Sequence, residues 1–422
     1  MSRINAPRGT SDTLPADSWK WQAVEAIARD VASLYHFAEI RTPIYEFSEL
    51  FHRGVGETTD IVSKETFTFA DRGGDSITLR PEGTAGVVRA VIENNLIAQE
   101  GSRQKLFYIG PNFRYERPQK GRLRQHHQFG VEAFGIAEPQ QDVECILLQL
   151  DFYRRCGIKD FELKINSLGD AESKQKYREI IVEKLRPFAD QLSEESRRRL
   201  EENPLRILDS KDINDQRLCT GLPAPTDCLS DASRGHFEQV AMLLERRQIR
   251  FTIENHLVRG FDYYTGTVWE VTTSGLGSQN AIGGGGRYDN LVDRLGGRPT
   301  PGVGFGIGLE RLLIALEAQQ VTLADPRRPL VWLVAMGPAG KHAAWNLLAD
   351  LRAAGIVADM DLANRSMKAQ FKIADRESAK FCLILGDDEL ARGEVMLKNL
   401  STGDQSSIAM TAIISRLKSL PI

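Results

Sequence analysis

Two kinds of apolar spacing run along this chain, and they predict different elements. Residues 15–36 place Trp19, Ala23, Ile27, Val31 and Leu34 mostly three or four apart, which predicts a helix with one buried stripe. A short strand at 38–41 follows and stops before Pro43. Residues 46–53 suit another short helix. Two strands, 66–70 and 76–79, flank the turn signal ADRGGDS. Gly83 permits a sharp turn into a helix over 84–96, with Thr84 as its N-cap. Alternation then takes over. Residues 106–116 and 126–134 read as two strands joined by a polar, basic loop. On the second, Gln128, Gly130 and Glu132 share one face, and Phe129, Val131 and Ala133 share the other. Arg114 and Glu116 share a face on the first. An apolar face suits a core, whereas a face of Arg, Gln and Glu with a glycine gap suits a flat polar ligand. An amphipathic hairpin with a wet side reads the same way from this stretch alone.

A charged, helical block follows, over 171–203 and 233–246. It interrupts the strand pattern, so 170–252 is expected to be an inserted helical subdomain. Alternation resumes at 257–271, LVRGFDYYTGTVWEV. It predicts Tyr263 and Tyr264 on opposite faces, whether for a ligand or for sheet packing, with Arg259 near the strand's start. AIGGGGRYDNLVDRL, 281–295, puts four glycines in a row before a helix. It lacks phosphate-loop and dinucleotide spacings, so close backbone approach is the expectation. In 301–313, Gly302, Gly304, Gly306 and Gly308 fall at period two. One face of that strand carries no side chains. It suits a flat ring laid on the backbone or tight packing of another segment, with Arg311 close by. ADPRRP, 324–329, reads as a linker. Beyond it, strands near 330–336, 356–360, 381–385 and 394–399 alternate with helices, which predicts a separate α/β domain. Its helix 366–376 carries Lys368, Lys372 and Arg376, with Arg365 just before, as a basic stripe or a solvated face.

Composition narrows the class. Apolar residues make up 41% and charged residues 26%, ordinary for a globular protein of more than one domain. No apolar run approaches the roughly 18 residues of a membrane span. The N-terminus lacks the apolar core of a signal peptide. The five cysteines form no CxxC pair, so neither a disulfide framework nor a zinc site is expected. A reducing cytoplasm fits. The net charge of −3 leaves nucleic-acid binding to local basic patches.

In combination these stretches resemble class II aminoacyl-tRNA synthetases, and within them the bacterial-type histidyl-tRNA synthetases, over nearly the whole chain. EIRTPIYE (39–46) is similar to motif 1, FRYE (113–116) with its loop and return strand to motif 2, and GVGFGIGLERLL to motif 3. TLRPEGT (78–84), LVRGFDYY (257–264) and GGGGRYDNLV (283–292) are similar to stretches particular to histidyl enzymes. The resemblance implies an α+β fold. Residues 1–325 would form an antiparallel catalytic sheet flanked by helices, and 326–422 an α/β anticodon-binding domain. It implies a homodimer built partly through motif 1, and the substrates ATP with Mg²⁺, L-histidine and tRNA(His). Histidyl-adenylate would form and pass its histidyl group to the tRNA's terminal ribose.

The resemblance also implies residue roles. Arg114 and Arg259 would meet the α-phosphate, where rigid guanidinium forks stabilise charge as it builds. Glu116 would accept from the adenine amino group, with Gly304, Gly306 and Arg311 also at ATP. Glu82 and Thr84 would hold the amino end of histidine. Gln128, Glu132, Tyr263 and Tyr264 would surround the rest, Glu132 and Tyr264 bracketing the imidazole. Arg117, Lys120, Arg122 and Arg124 would meet tRNA phosphates. No metal ligands are expected from the protein. The readings outside this family are a synthetase-like regulatory subunit of ATP phosphoribosyltransferase, which lacks the last domain, and an RNA-binding protein without catalysis. A synthetase for proline, threonine or glycine would differ at RGFDYY.

Overall fold

A computed structural model describes every residue except 1–3, 57–58, 98, 100, 120, 275, 277–279, 326–329 and 421–422. Lys120 and most of the expected linker therefore lie outside the described residues. The chain divides into two compact units, Met1–Asp325 and Pro326–Ile422.

The first unit is built on an eight-stranded sheet. Its spatial order is Ala38–Glu39, Gln104–Phe113, Gln125–Phe134, Gly302–Gly308, Ala281–Arg287, Thr265–Thr272, Glu162–Ser167 and Thr252–Ile253. The six central strands pair antiparallel, and each short edge strand pairs parallel. Alternation decides which face is buried. Phe129, Val131 and Ala133 join Val303, Phe305 and Ile307 in one core with Trp269 and Val271. Helices Pro15–Leu34, Pro139–Cys156 and Leu309–Ala318 cover that face through residues such as Val31, Leu148 and Leu312. Each such buried side chain stabilises by roughly 1.5–3 kcal/mol, so the register of the central strands is firmly held. The opposite face carries the polar residues.

The inserted subdomain is smaller than expected. Its own core runs from Tyr177 to Cys228 and includes Ile181, Leu185, Leu200 and Ile207. Helix Asp231–Arg246, expected within it, packs Phe237, Val240 and Leu244 into the main core instead. Sequence position could not reveal this, because an amphipathic stripe does not name its partner.

In the second unit a five-stranded sheet has the order Ala358–Met360, Val331–Ala335, Phe381–Leu385, Glu394–Asn399 and Gln405–Ala409. The first three are parallel, as βαβ alternation requires. The last two pair antiparallel, and Gln405–Ala409 was not anticipated. Mostly exposed and polar, it gives little periodic signal.

Candidate functional site

The polar face of the large sheet opens into a cavity of about 460 Å³. Glu82, Thr84, Arg114, Glu116, Gln128 and Glu132 line it, as do Arg259, Tyr263, Tyr264, Gly304, Gly306 and Arg311. All the residues expected at histidine and ATP are thus brought together.

Glu132 lies at the buried end and is 1% exposed. Thr84 Oγ1 donates to its Oε1 at 2.7 Å and Tyr108 Oη donates to the same oxygen at 3.3 Å. Tyr288 Oη donates to Oε2. Three hydroxyls hold the carboxylate, yet burial pushes its pKa up to about 8. Glu82 caps helix Thr84–Glu93: its carboxylate accepts from Thr84 N at 2.5 Å and Ala85 N at 2.8 Å. This corrects the expectation that Thr84 is the N-cap. Thr84 opens the helix and its hydroxyl is turned to Glu132. Burial also raises the Glu82 pKa, against the pull of those N–H groups.

On the glycine-faced strand the structure shows the second of the two expected arrangements, tight packing of other segments. The bare face is roofed from within the protein. Gly304 lies opposite Glu132 in the register, and a Cβ there would overlap that carboxylate and the Val131 carbonyl. A Cβ on Gly306 would overlap the Gln128 amide, and one on Gly302 the Tyr288 ring. These glycines make room for side chains that line the cavity. Gly130 does the same for the Tyr108 ring.

Residues 257–264 form no strand; the strand begins at Thr265. Strict alternation therefore fails there. Tyr263 and Tyr264 are packed together, ring centroids 4.7 Å apart, both buried in the cluster on the cavity side of the sheet. The same irregular path brings Arg259 over the sheet, where its Nη1 bonds Glu270 at 2.9 Å. A Cβ on Gly284 would crowd that guanidinium.

The first hairpin strand ends at Phe113, so Arg114 and Glu116 lie just beyond it. They are still near one another, at 3.8 Å. Arg114 Nε donates to Pro81 O at 2.8 Å and its guanidinium lies over the Phe261 ring at 5.5 Å. Arg122 meets Glu116 at 3.3 Å, and Arg124 stacks on Tyr115 at 3.7 Å. Two of the loop cations thus have protein partners, while Arg117 is exposed. Arg311 lies beneath the loop, near Gly121, and burial together with the Arg122 charge lowers its pKa.

Sequence reasoning missed Tyr108, Tyr288 and His126. Tyr288 continues the period-two face of Gly284 and Gly286, and Tyr108 shares a face with Asn112 on its strand, so both carried a usable signal. His126 lines the cavity on the face of Gln128; burial, then the Arg114 charge, pushes its pKa down to about 3 and keeps it neutral.

The family model for Histidyl-tRNA synthetase matches residues 9–312, and that for the Anticodon binding domain matches 331–420. The chain belongs to the histidyl-tRNA synthetase family. Among curated histidine–tRNA ligases, one from Moorella thermoacetica is 50% identical over 97% of this chain and 96% of its own length. One from Geobacillus sp. is 48% identical over 98% of each. The crystal structure of apo S. aureus histidyl-tRNA synthetase superposes with a TM-score of 0.84 at 37% identity, covering 99% of this chain and 100% of that one. The α+β class II architecture expected for such a synthetase is the one observed. Among the described residues, no group of three His, Cys, Asp or Glu could hold a metal ion, and no helix is long and apolar enough to cross a membrane.

Proposed function

We propose that the cavity is where histidine and ATP react. The chain is an ATP-dependent ligase that joins histidine to tRNA by way of histidyl-adenylate. The observation that carries the site assignment is one cavity with two chemistries at its ends. A buried, hydroxyl-bound carboxylate lies at one end, and Arg114, Arg259 and Arg311 line the same space.

In this reading the imidazole reaches Glu132 and Tyr264. A neutral imidazole offers one donor and one acceptor, which a carboxylate and a phenol satisfy. The ammonium meets Glu82 and Thr84. Gln128, held by Asn112 Nδ2 at 2.5 Å, and Tyr263 close the sides. The histidine carboxylate oxygen then attacks the α-phosphorus. The bond to the bridging oxygen breaks and pyrophosphate leaves. Arg114 and Arg259 stabilise the charge that builds there, typically the largest contribution to such a step. Glu116, Arg311 and the backbone near Gly304 and Gly306 hold the nucleotide. Next, a hydroxyl of the tRNA's terminal ribose attacks the carbonyl and AMP leaves. Mg²⁺ travels with ATP, bound by phosphate oxygens.

Arg117, Lys120, Arg122 and Arg124 contact the tRNA end, and residues 326–422 bind the anticodon. Arg122 and Arg124 would then exchange their protein partners for phosphate. The chain acts as a cytoplasmic homodimer. Exposed Ile44, Tyr45, Phe47 and Phe69 on and beside the sheet Tyr45–Phe47, Ser76–Leu79 and Phe67–Ala70 support this, as apolar surface suited to a second copy. Histidine-dependent ATP–pyrophosphate exchange by the purified chain tests the reading. Exchange with another amino acid, or none, would refute it.

A further inference from the structure

Residues 257–264 carry Arg259, Tyr263 and Tyr264 yet belong to no strand. A segment outside the sheet ladder must find other partners for its buried backbone groups. The inserted subdomain supplies several. Arg206 Nη1 donates to Arg259 O at 3.0 Å. Lys174 Nζ donates to Tyr264 O, from a site where burial, then the Arg178 charge, lowers its pKa to about 8. Asn203 Nδ2 donates to Asp262 Oδ1 at 2.8 Å. Val258 packs against both the subdomain's core and the cluster on the cavity side of the sheet. Asp209 and Lys211 of the same subdomain reach the cavity wall.

We infer that the inserted subdomain completes the adenylation site. Through Asn203, Arg206 and Lys174 it fixes the path of 257–264 and so aims Arg259 at the reacting phosphate and the tyrosines at histidine. These three are positioning residues, and the inference rests on the cavity reading above. Among the described residues, the donors to Arg259 O and Tyr264 O come from the inserted subdomain and not from the sheet. A shift in the subdomain therefore changes the chemistry, with or without tRNA present.

The test uses the full chain and pyrophosphate exchange, with histidine and ATP varied separately. Asn203→Asp sets two carboxylates against each other at one anchor. It is expected to lower exchange by about tenfold or more, through a lower kcat and a higher histidine KM, while the chain stays folded at the assay temperature. Adding Asp262→Asn rebuilds the pair with donor and acceptor exchanged. The double variant is expected to recover to within about threefold of the parent, a coupling that separate structural defects would not show. Exchange within about twofold of the parent in Asn203→Asp overturns the inference, and so does a loss that the second change fails to relieve. Arg259→Ala separates the two failures. If it too leaves exchange intact, the cavity reading falls. If it removes exchange while Asn203→Asp is silent, only this inference falls.

Discussion

Replacing Glu132 by glutamine tests how histidine is selected. The substitution keeps the size, removes the charge and turns one acceptor oxygen into an NH₂ donor. In the structure Oε1 already accepts from Thr84 and Tyr108, and Oε2 accepts from Tyr288. Whichever way the amide is turned, at least one hydroxyl then faces a donor and must reorient. The imidazole N–H loses a charged acceptor in a site with almost no solvent. A hydrogen bond to a charged group contributes about 1.5–3 kcal/mol, or roughly ten- to 150-fold. Histidine KM should therefore rise by about ten- to a hundredfold, while ATP KM stays within about threefold. Steady-state pyrophosphate exchange, varying each substrate in turn, measures both. Unchanged histidine kinetics, or a defect confined to ATP, would show that Glu132 does not read the imidazole.

The same carboxylate predicts a pH dependence. Its pKa is raised to about 8, so the free protein carries a proton there at neutral pH and must lose it to accept from the imidazole. Histidine KM should fall as pH rises from about 7 to about 8 by more than the loss of the substrate imidazole's own proton accounts for, and that extra fall should vanish in Glu132→Gln; matching profiles in the two proteins would sink this account. Arg259→Ala should leave a folded protein with exchange reduced by about a hundredfold or more, the usual effect of removing one preorganised donor. Exchange within about threefold of the parent would remove Arg259 from the phosphate. A chain ending at Asp325 should keep more adenylation than tRNA charging, provided light scattering finds it dimeric, and undiminished charging would give residues 326–422 another role.

The hairpin was legible because one physical rule governs it. Period-two alternation placed Gln128 and Glu132 on one face and Phe129 and Val131 in the core, as found. The glycines at 302, 304, 306 and 308 were equally visible, but their use was not. Spacing shows that a face is bare, whereas what fills it depends on Glu132, Gln128 and Tyr288 arriving from elsewhere. Alternation misled at 257–264, where the composition reads as strand and the backbone is irregular. Tyr263 and Tyr264 therefore lie together, not on opposite sides. Helix Asp231–Arg246 shows the same limit at larger scale: its apolar stripe was clear, but its assignment to the main core depended on contacts with a helix far earlier in the chain, Pro139–Cys156.

Strand Gln125–Phe134 also acts as a gauge. An extended chain advances about 3.3 Å per residue, so the Cα atoms of Gln128 and Glu132 stand about 13 Å apart along one rigid edge. Both are locked in register to Gly308 and Gly304 across the sheet. Inserting or deleting one residue between them would do more than lengthen the gap. It would turn every later side chain over, bringing Val131 or Ala133 to the cavity in place of Glu132. Changes of length are therefore confined to the loop before Gln125. Within the strand, amino-acid preference can change only by exchanging one side chain for another at a fixed mark.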